Sequence, residues 1–275
     1  RIGPQTHHSR INVQQNKESL IGVSPGVGLQ PGQLPDLIDS TMIAFNFESE
    51  TDQGSPGDLN YIAGWKGWAG RTTEFLDKYE KTKETCKTSD TGCFDTAQLG
   101  ACATAPYGFD KGTPCVFLKL NKIFGNENDH CTAADLDDEK TADGEENPCF
   151  KIPESLKTHI KAQKDQEQVW IECHGEYPAD REALGDITYF PKTQGFPASF
   201  FPYKGKVDEN GNEIAYQSPI VAVQFAKAAK NQLLHIECRA WAKNIGYSKR
   251  DRVGINHLEL LVLGNEATKK VGSGS

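Results

Sequence analysis

Residues Leu233–Val262 read LLHIECRAWAKNIGYSKRDRVGINHLELLV, two strand-like runs joined by a basic turn. In the first run Leu234, Ile236, Cys238 and Ala240 share one side, and His235, Glu237 and Arg239 share the other. That period of two marks a half-buried strand. Upstream, VWIECHGE alternates in the same way, with Val169, Ile171 and Cys173 on one side. If Cys173 and Cys238 both lie on apolar faces, a disulfide between them would cross a hydrophobic core instead of decorating a surface.

A chain of 275 residues is long enough to bury a substantial core. Thirty basic side chains against 38 acidic ones argue against a nucleic-acid binder, which needs a concentrated positive face. Eight cysteines, even in number and irregular in spacing, suit an oxidising compartment. A structural zinc site is disfavoured, because no CxxC occurs and none of the seven histidines is spaced to pair with a cysteine. No metal ligand and no cofactor is assigned. No run of about eighteen apolar residues reads as spanning a bilayer. A start at Arg1 and a close of Gly272, Ser273, Gly274 and Ser275 read as an excised extracellular piece with a flexible linker tail.

Outward from the opening stretch, the elements are legible by period. Residues 1–36 are polar, then rich in proline and glycine, and predict either an extended strap or a flexible linker. Ser40–Phe47 alternates as a strand. From Trp65, the residues Trp68, Thr72, Phe75, Leu76 and Tyr79 recur at three- and four-residue steps, predicting an amphipathic helix. Val116–Gly125, the run around Cys173 and Ser218–Phe225 read as further strands, and Leu156–Gln163 as a short helix. At least six strands and two helices make an antiparallel sandwich.

Two segments invite sharper readings. Between Cys131 and Cys149 an acidic insert places Asp135, Asp137, Glu139 and Glu146 at calcium-loop positions, but Lys140 stands where the sharp turn needs glycine. A solvated loop closed by its own Cys131–Cys149 disulfide is the better reading. The stretch QGFPASFFPYKGK carries Phe196, Phe200, Phe201 and Tyr203 interleaved with Pro197 and Pro202. Its rings form either an exposed interaction ridge or a loop tucked into the core. No GxSxG, no phosphate-binding loop, no GxGxxG after a strand and no HExxH occurs, so nothing nominates a catalytic residue.

Seven segments together resemble the extracellular domain of the beta subunit of sodium/potassium-transporting ATPases, of the invertebrate type. They are Ser19–Pro31, Glu74–Tyr79, Gly92–Gly125, Val169–Asp180, Gly195–Lys206, Ser218–Phe225 and Ile236–Gly254. The resemblance implies an immunoglobulin-like β-sandwich spanning 37–264. The strap 1–36 is then membrane-proximal, the insert occupies 126–150 and the tail 265–275. It implies an upstream single transmembrane helix, with the domain on the extracellular side of the plasma membrane. It implies no catalysis: an alpha subunit does the chemistry, and the beta subunit assists its folding, delivery and potassium affinity. A small FXYD-type subunit is a further implied partner. An adhesion or receptor-assembly role independent of pumping is the alternative.

The resemblance pairs Cys86 with Cys93, Cys102 with Cys115, and Cys173 with Cys238. It places alpha-subunit contacts on Pro25, Gly26, Gly28 and Pro31, and on Phe200, Phe201, Pro202, Tyr203, Gly205 and Lys206. Phenylalanines stand where the family has tyrosines, which keeps apolar area and removes hydroxyl hydrogen bonds. Cys131 and Cys149 are additional, and no Asn-x-Ser/Thr sequon occurs, both departures from the family. Within this resemblance the basic turn Lys249, Arg250 and Arg252 reads as a strand connection in preference to an anion site.

Overall fold

The computed structural model describes residues 27–30, 42–55, 61–83, 93–125, 127–163, 166–204, 216–249 and 253–264. Among them, nine strands form two sheets. The first runs in the order β1 (Val27–Gln30), β3 (Cys115–Leu120), β7 (Ile220–Phe225) and β5 (Ile187–Phe190). The second runs β2 (Met42–Asn46), β9 (Ile255–Leu263), β8 (Leu233–Trp241), β4 (Gln168–Gly175) and β6 (Gly195–Pro197). Residues of both sheets merge into one core. Val116, Phe117, Leu118, Val221 and Val223 come from the first sheet, and Val169, Ile171, Ile236, Leu258 and Leu260 from the second. This is a β-sandwich in which β3 and β7 are buried on both faces and so contribute consecutive residues.

One pairing departs from the antiparallel expectation: β2 runs parallel to β9, with Met42 opposite Glu259 and Asn46 opposite Leu263. A parallel pair cannot be closed by a tight turn. Here most of the domain lies between the two strands in sequence, so no tight turn is required. The strand read over Val116–Gly125 ends at Leu120, where its pairing with Val27 ends. The proline- and glycine-rich strap contributes β1 at the sheet edge, where such a sequence is tolerated.

Helix α1 (Trp65–Lys83) buries Trp68, Phe75, Leu76 and Tyr79, as its period predicts. Each such ring or branched chain contributes about 2 kcal/mol by leaving water. Trp68 Nε1 donates to the Ala44 carbonyl in β2 at 3.0 Å, and the Tyr79 hydroxyl donates to the Ser218 carbonyl before β7 at 2.9 Å. The helix therefore ties the two sheets together. Two shorter helices follow among the described residues, α2 (Glu154–Ala162), as read from the sequence, and α3 (Pro178–Leu184), which was not.

Cys173 and Cys238 are bonded, but they do not cross the core. They sit directly opposite each other on neighbouring strands β4 and β8, with Cα atoms 4.0 Å apart, on the core-facing side of a single sheet. Period two puts both on the inner face, and the register then makes them partners.

The acidic insert is also more than a solvated loop. Its Cys131–Cys149 disulfide and Leu136 are fully buried. With Ile152, Leu156, Ile160, Trp170 and Trp241 they make a second small core on the outer face of the larger sheet. The carboxylates stay outside and diverge: Asp135 pairs with Lys243, Asp137 with Lys161 and Glu146 with Lys151. Side chains held by three different lysines do not converge on a calcium ion.

Candidate partner interface

The two stretches nominated for a partner meet at one end of β3. Val27 of β1 is opposite Leu120, the last residue of β3, and Gly28 is opposite Lys119. Four residues beyond Leu120, Phe124 forms a bridge with Tyr203, and Gly125 donates its N–H to the Tyr203 carbonyl at 2.9 Å. Gly125 adopts a left-handed φ of 70°, which glycine accepts at no cost.

The aromatic stretch is not an open ridge. Phe196 is fully buried in β6 and Tyr203 is buried, while Phe200 and Phe201 are half-buried against the main core. The reason is an aromatic chain running in from α1: Phe75 packs on Tyr79, Tyr79 on Phe94, and Phe94 on Phe200 at 6.3 Å. Rings that find such neighbours gain packing in addition to burial. At this edge Phe124 is exposed, at 59%.

Beside Phe124 lies a shallow groove lined by Leu120, Lys122, Ile123, Phe201, Tyr203 and Tyr216. Tyr203 and Tyr216 pack with centroids 4.9 Å apart, and the Lys122 ammonium lies 5.2 Å from each ring. A cation over two ring faces is a favourable arrangement, worth about 1 kcal/mol at a partly exposed site. Burial pushes the Tyr216 phenol upward. Burial, followed by the charges of Lys122 and Lys78, pushes Lys119 down to about 8. The edge is thus aromatic and locally basic in a chain of net charge −8.

The groove is held from behind by α1. Gln217 donates to the Tyr79 carbonyl at 2.6 Å and accepts from the Phe94 N–H at 3.0 Å. The segment carrying Tyr216 is therefore docked on the helix before β7 begins.

The sequence profile described as sodium / potassium ATPase beta chain matches residues 10–257. The chain is 34% identical over 262 residues to sodium/potassium-transporting ATPase subunit beta-1 of Drosophila melanogaster, covering 90% of this chain and 73% of that protein. It is 32% identical to subunit beta-2 of the same organism, with 94% and 77% covered. This chain belongs to the sodium/potassium ATPase beta-chain family. A further relative, the probable subunit beta-3 of Caenorhabditis briggsae, is 29% identical over 90% of this chain and 68% of its own length.

Cys102 is bonded to Cys115, and Cys93 is in a disulfide; Cys86 lies outside the described residues. Pro25, Gly26, Pro31, Gly205 and Lys206 also lie outside them. Sequence reasoning missed Lys122, Phe124 and Tyr216. The first two were absorbed into an over-long strand, and Tyr216 sits ten residues or more from the motif it completes. Of the basic turn, Lys249 bonds Glu176 and Glu237 at 3.1 and 3.2 Å, while Arg250 and Arg252 lie outside the described residues. No helix among the described residues is long and apolar enough to cross a membrane.

Proposed function

We propose that this beta-family chain engages the alpha subunit of a sodium/potassium pump through the edge formed by β1, Lys122–Gly125 and the Tyr203–Tyr216 pair. The chain itself is a non-catalytic beta subunit, and catalysis belongs to the alpha subunit. One observation carries the assignment of the face. The strap and the aromatic stretch are about 170 residues apart in sequence, yet Val27 of the strap pairs with Leu120 at the end of β3 and Tyr203 bridges Phe124 four residues further on. An exposed Phe124 beside a half-exposed cation and two tyrosine rings is the composition of an interface anchor.

The disulfides, three of them wholly among the described residues, support an extracellular placement, since such bonds persist in oxidising compartments. In this reading the domain stands on the outer side of the plasma membrane and assists the folding, delivery and potassium affinity of the alpha subunit. A small FXYD-type subunit is a third component, tested by whether it co-purifies with the pair.

Co-expression of the membrane-anchored form with an alpha subunit is the test. Phe124→Ala and Lys122→Ala should each reduce recovery of the detergent-solubilised complex, while secretion of the 275-residue chain by itself stays unchanged. Undiminished complex with the double variant would place the contact elsewhere.

A further inference from the structure

The outer face of β8 and β9 carries a grid that the strand register creates. His235 is directly opposite Glu259, and Glu237 is directly opposite His257. The two histidines are therefore diagonal neighbours, and their rings lie 5.9 Å apart at 25°. One Glu259 oxygen is 3.7 Å from His235 Nδ1 and 3.8 Å from His257 Nε2. The three ligating atoms all fall within 4.8 Å of one another. Around a tetrahedral ion with bonds of about 2.0 Å, ligand atoms stand about 3.3 Å apart. Small side-chain rotations close the remaining gap.

A second feature prepares the site. Glu176, which follows β4, places a carboxylate oxygen 2.9 Å from His257 Nδ1. That contact puts the proton on Nδ1 and leaves the Nε2 lone pair facing Glu259 and His235. A carboxylate behind a histidine, fixing its tautomer and rotation, is the usual outer support of a metal-bound imidazole. Glu176 is itself held, by its backbone N–H to the His235 carbonyl at 2.8 Å and by Lys249 at 3.1 Å. The donors are 24–32% exposed, so an ion from solvent reaches them and the fourth position stays open.

We propose that His235, His257 and Glu259 bind a divalent transition ion of the zinc class, oriented by Glu176, with water completing the shell. Two imidazoles and one carboxylate suit zinc and its neighbours in the series, and not calcium or magnesium, which take oxygen ligands. Among the described residues this is the one group of three or more such side chains close enough to share an ion. It lies on the outer face of the larger sheet and does not depend on the assignment of the partner edge.

The test is calorimetric titration of the 275-residue chain with zinc chloride, with cobalt(II) absorption reporting coordination geometry. Expected is one ion per chain, a tetrahedral cobalt spectrum, and no saturable binding of calcium or magnesium. His235→Asn, His257→Asn and Glu259→Gln should each abolish saturation. Glu176→Gln should weaken affinity by about tenfold to a hundredfold. His174→Asn, a histidine on the same face paired with Glu172, should leave binding unchanged. Circular dichroism and the metal-free melting midpoint establish that each variant is folded. Zinc should also raise the wild-type midpoint with concentration and fail to raise that of Glu259→Gln. No saturable zinc binding at millimolar concentration overturns the proposal. So does equal loss in His174→Asn, or equal binding of calcium.

Discussion

Trp170 donates its indole N–H to the main-chain carbonyl of Cys131 at 2.8 Å, which ties the acidic insert to the outer face of β4. The insert therefore behaves as a small packed unit and not as a solvated loop. Trp170→Phe removes that bond and leaves a void beneath Cys131, at a cost of about 2 kcal/mol. Urea unfolding of the variant checks this.

Cutting the same unit at its disulfide separates local from global stability. Cys131→Ser with Cys149→Ser reopens a closure of 18 residues, worth about 3 kcal/mol by loop entropy. Amide exchange should accelerate within residues 127–150, while β8 and β9 keep their protection.

The Cys173–Cys238 bond closes 65 residues and staples the two central strands of the larger sheet, so its removal costs about 4 kcal/mol. That is a large share of the stability of an ordinary domain. The Cys173→Ser/Cys238→Ser chain should be secreted poorly, measured as the secreted fraction at matched expression.

Lys119 gives a pH signature. Its folded pKa, near 8, lies below the unfolded value of 10.5. Between these values the unfolded chain binds the extra proton, so stability rises as pH climbs from about 8 toward about 10. Below about 8 both states are protonated and the burial cost is fully present, on the order of 3 kcal/mol. The urea midpoint of the wild type minus that of Lys119→Met should rise between pH 7.5 and 9.5, the variant alone lacking this contribution.

Gly175 ends β4 where α3 folds back upon it. A Cβ there would lie 2.3 Å from the Arg181 backbone nitrogen, which cannot yield without moving the helix. Gly175→Ala should lower the melting midpoint by several degrees. It should also shift Glu176, measurable as a change in the His257 imidazole NMR resonances.

Period-two runs around Cys173 and Cys238 and the three-four spacing from Trp65 to Tyr79 located the main elements, because a residue's face depends only on local backbone geometry. The family resemblance named the partner stretches for the same reason: contiguous motifs survive as strings. The fate of the aromatic stretch was not legible. Whether Phe200 and Tyr203 face solvent depends on Phe94 and Tyr216, which are remote in sequence.

The histidine cluster makes the division plain. The sequence alone determined that His235 and Glu237 share a face, and that the C-terminal run beginning near Ile255 is a strand. It did not determine that His235 stands opposite Glu259 and diagonal to His257, since spacing within one strand carries no information about register with another. That register is decided by which apolar rows of β8 and β9 meet in the core. The same physics made the Cys173–Cys238 bond a staple within one sheet and brought β1 and Tyr203 to the end of β3. Local chemistry is written along the chain, while sites built from several strands exist only after the core has chosen its register.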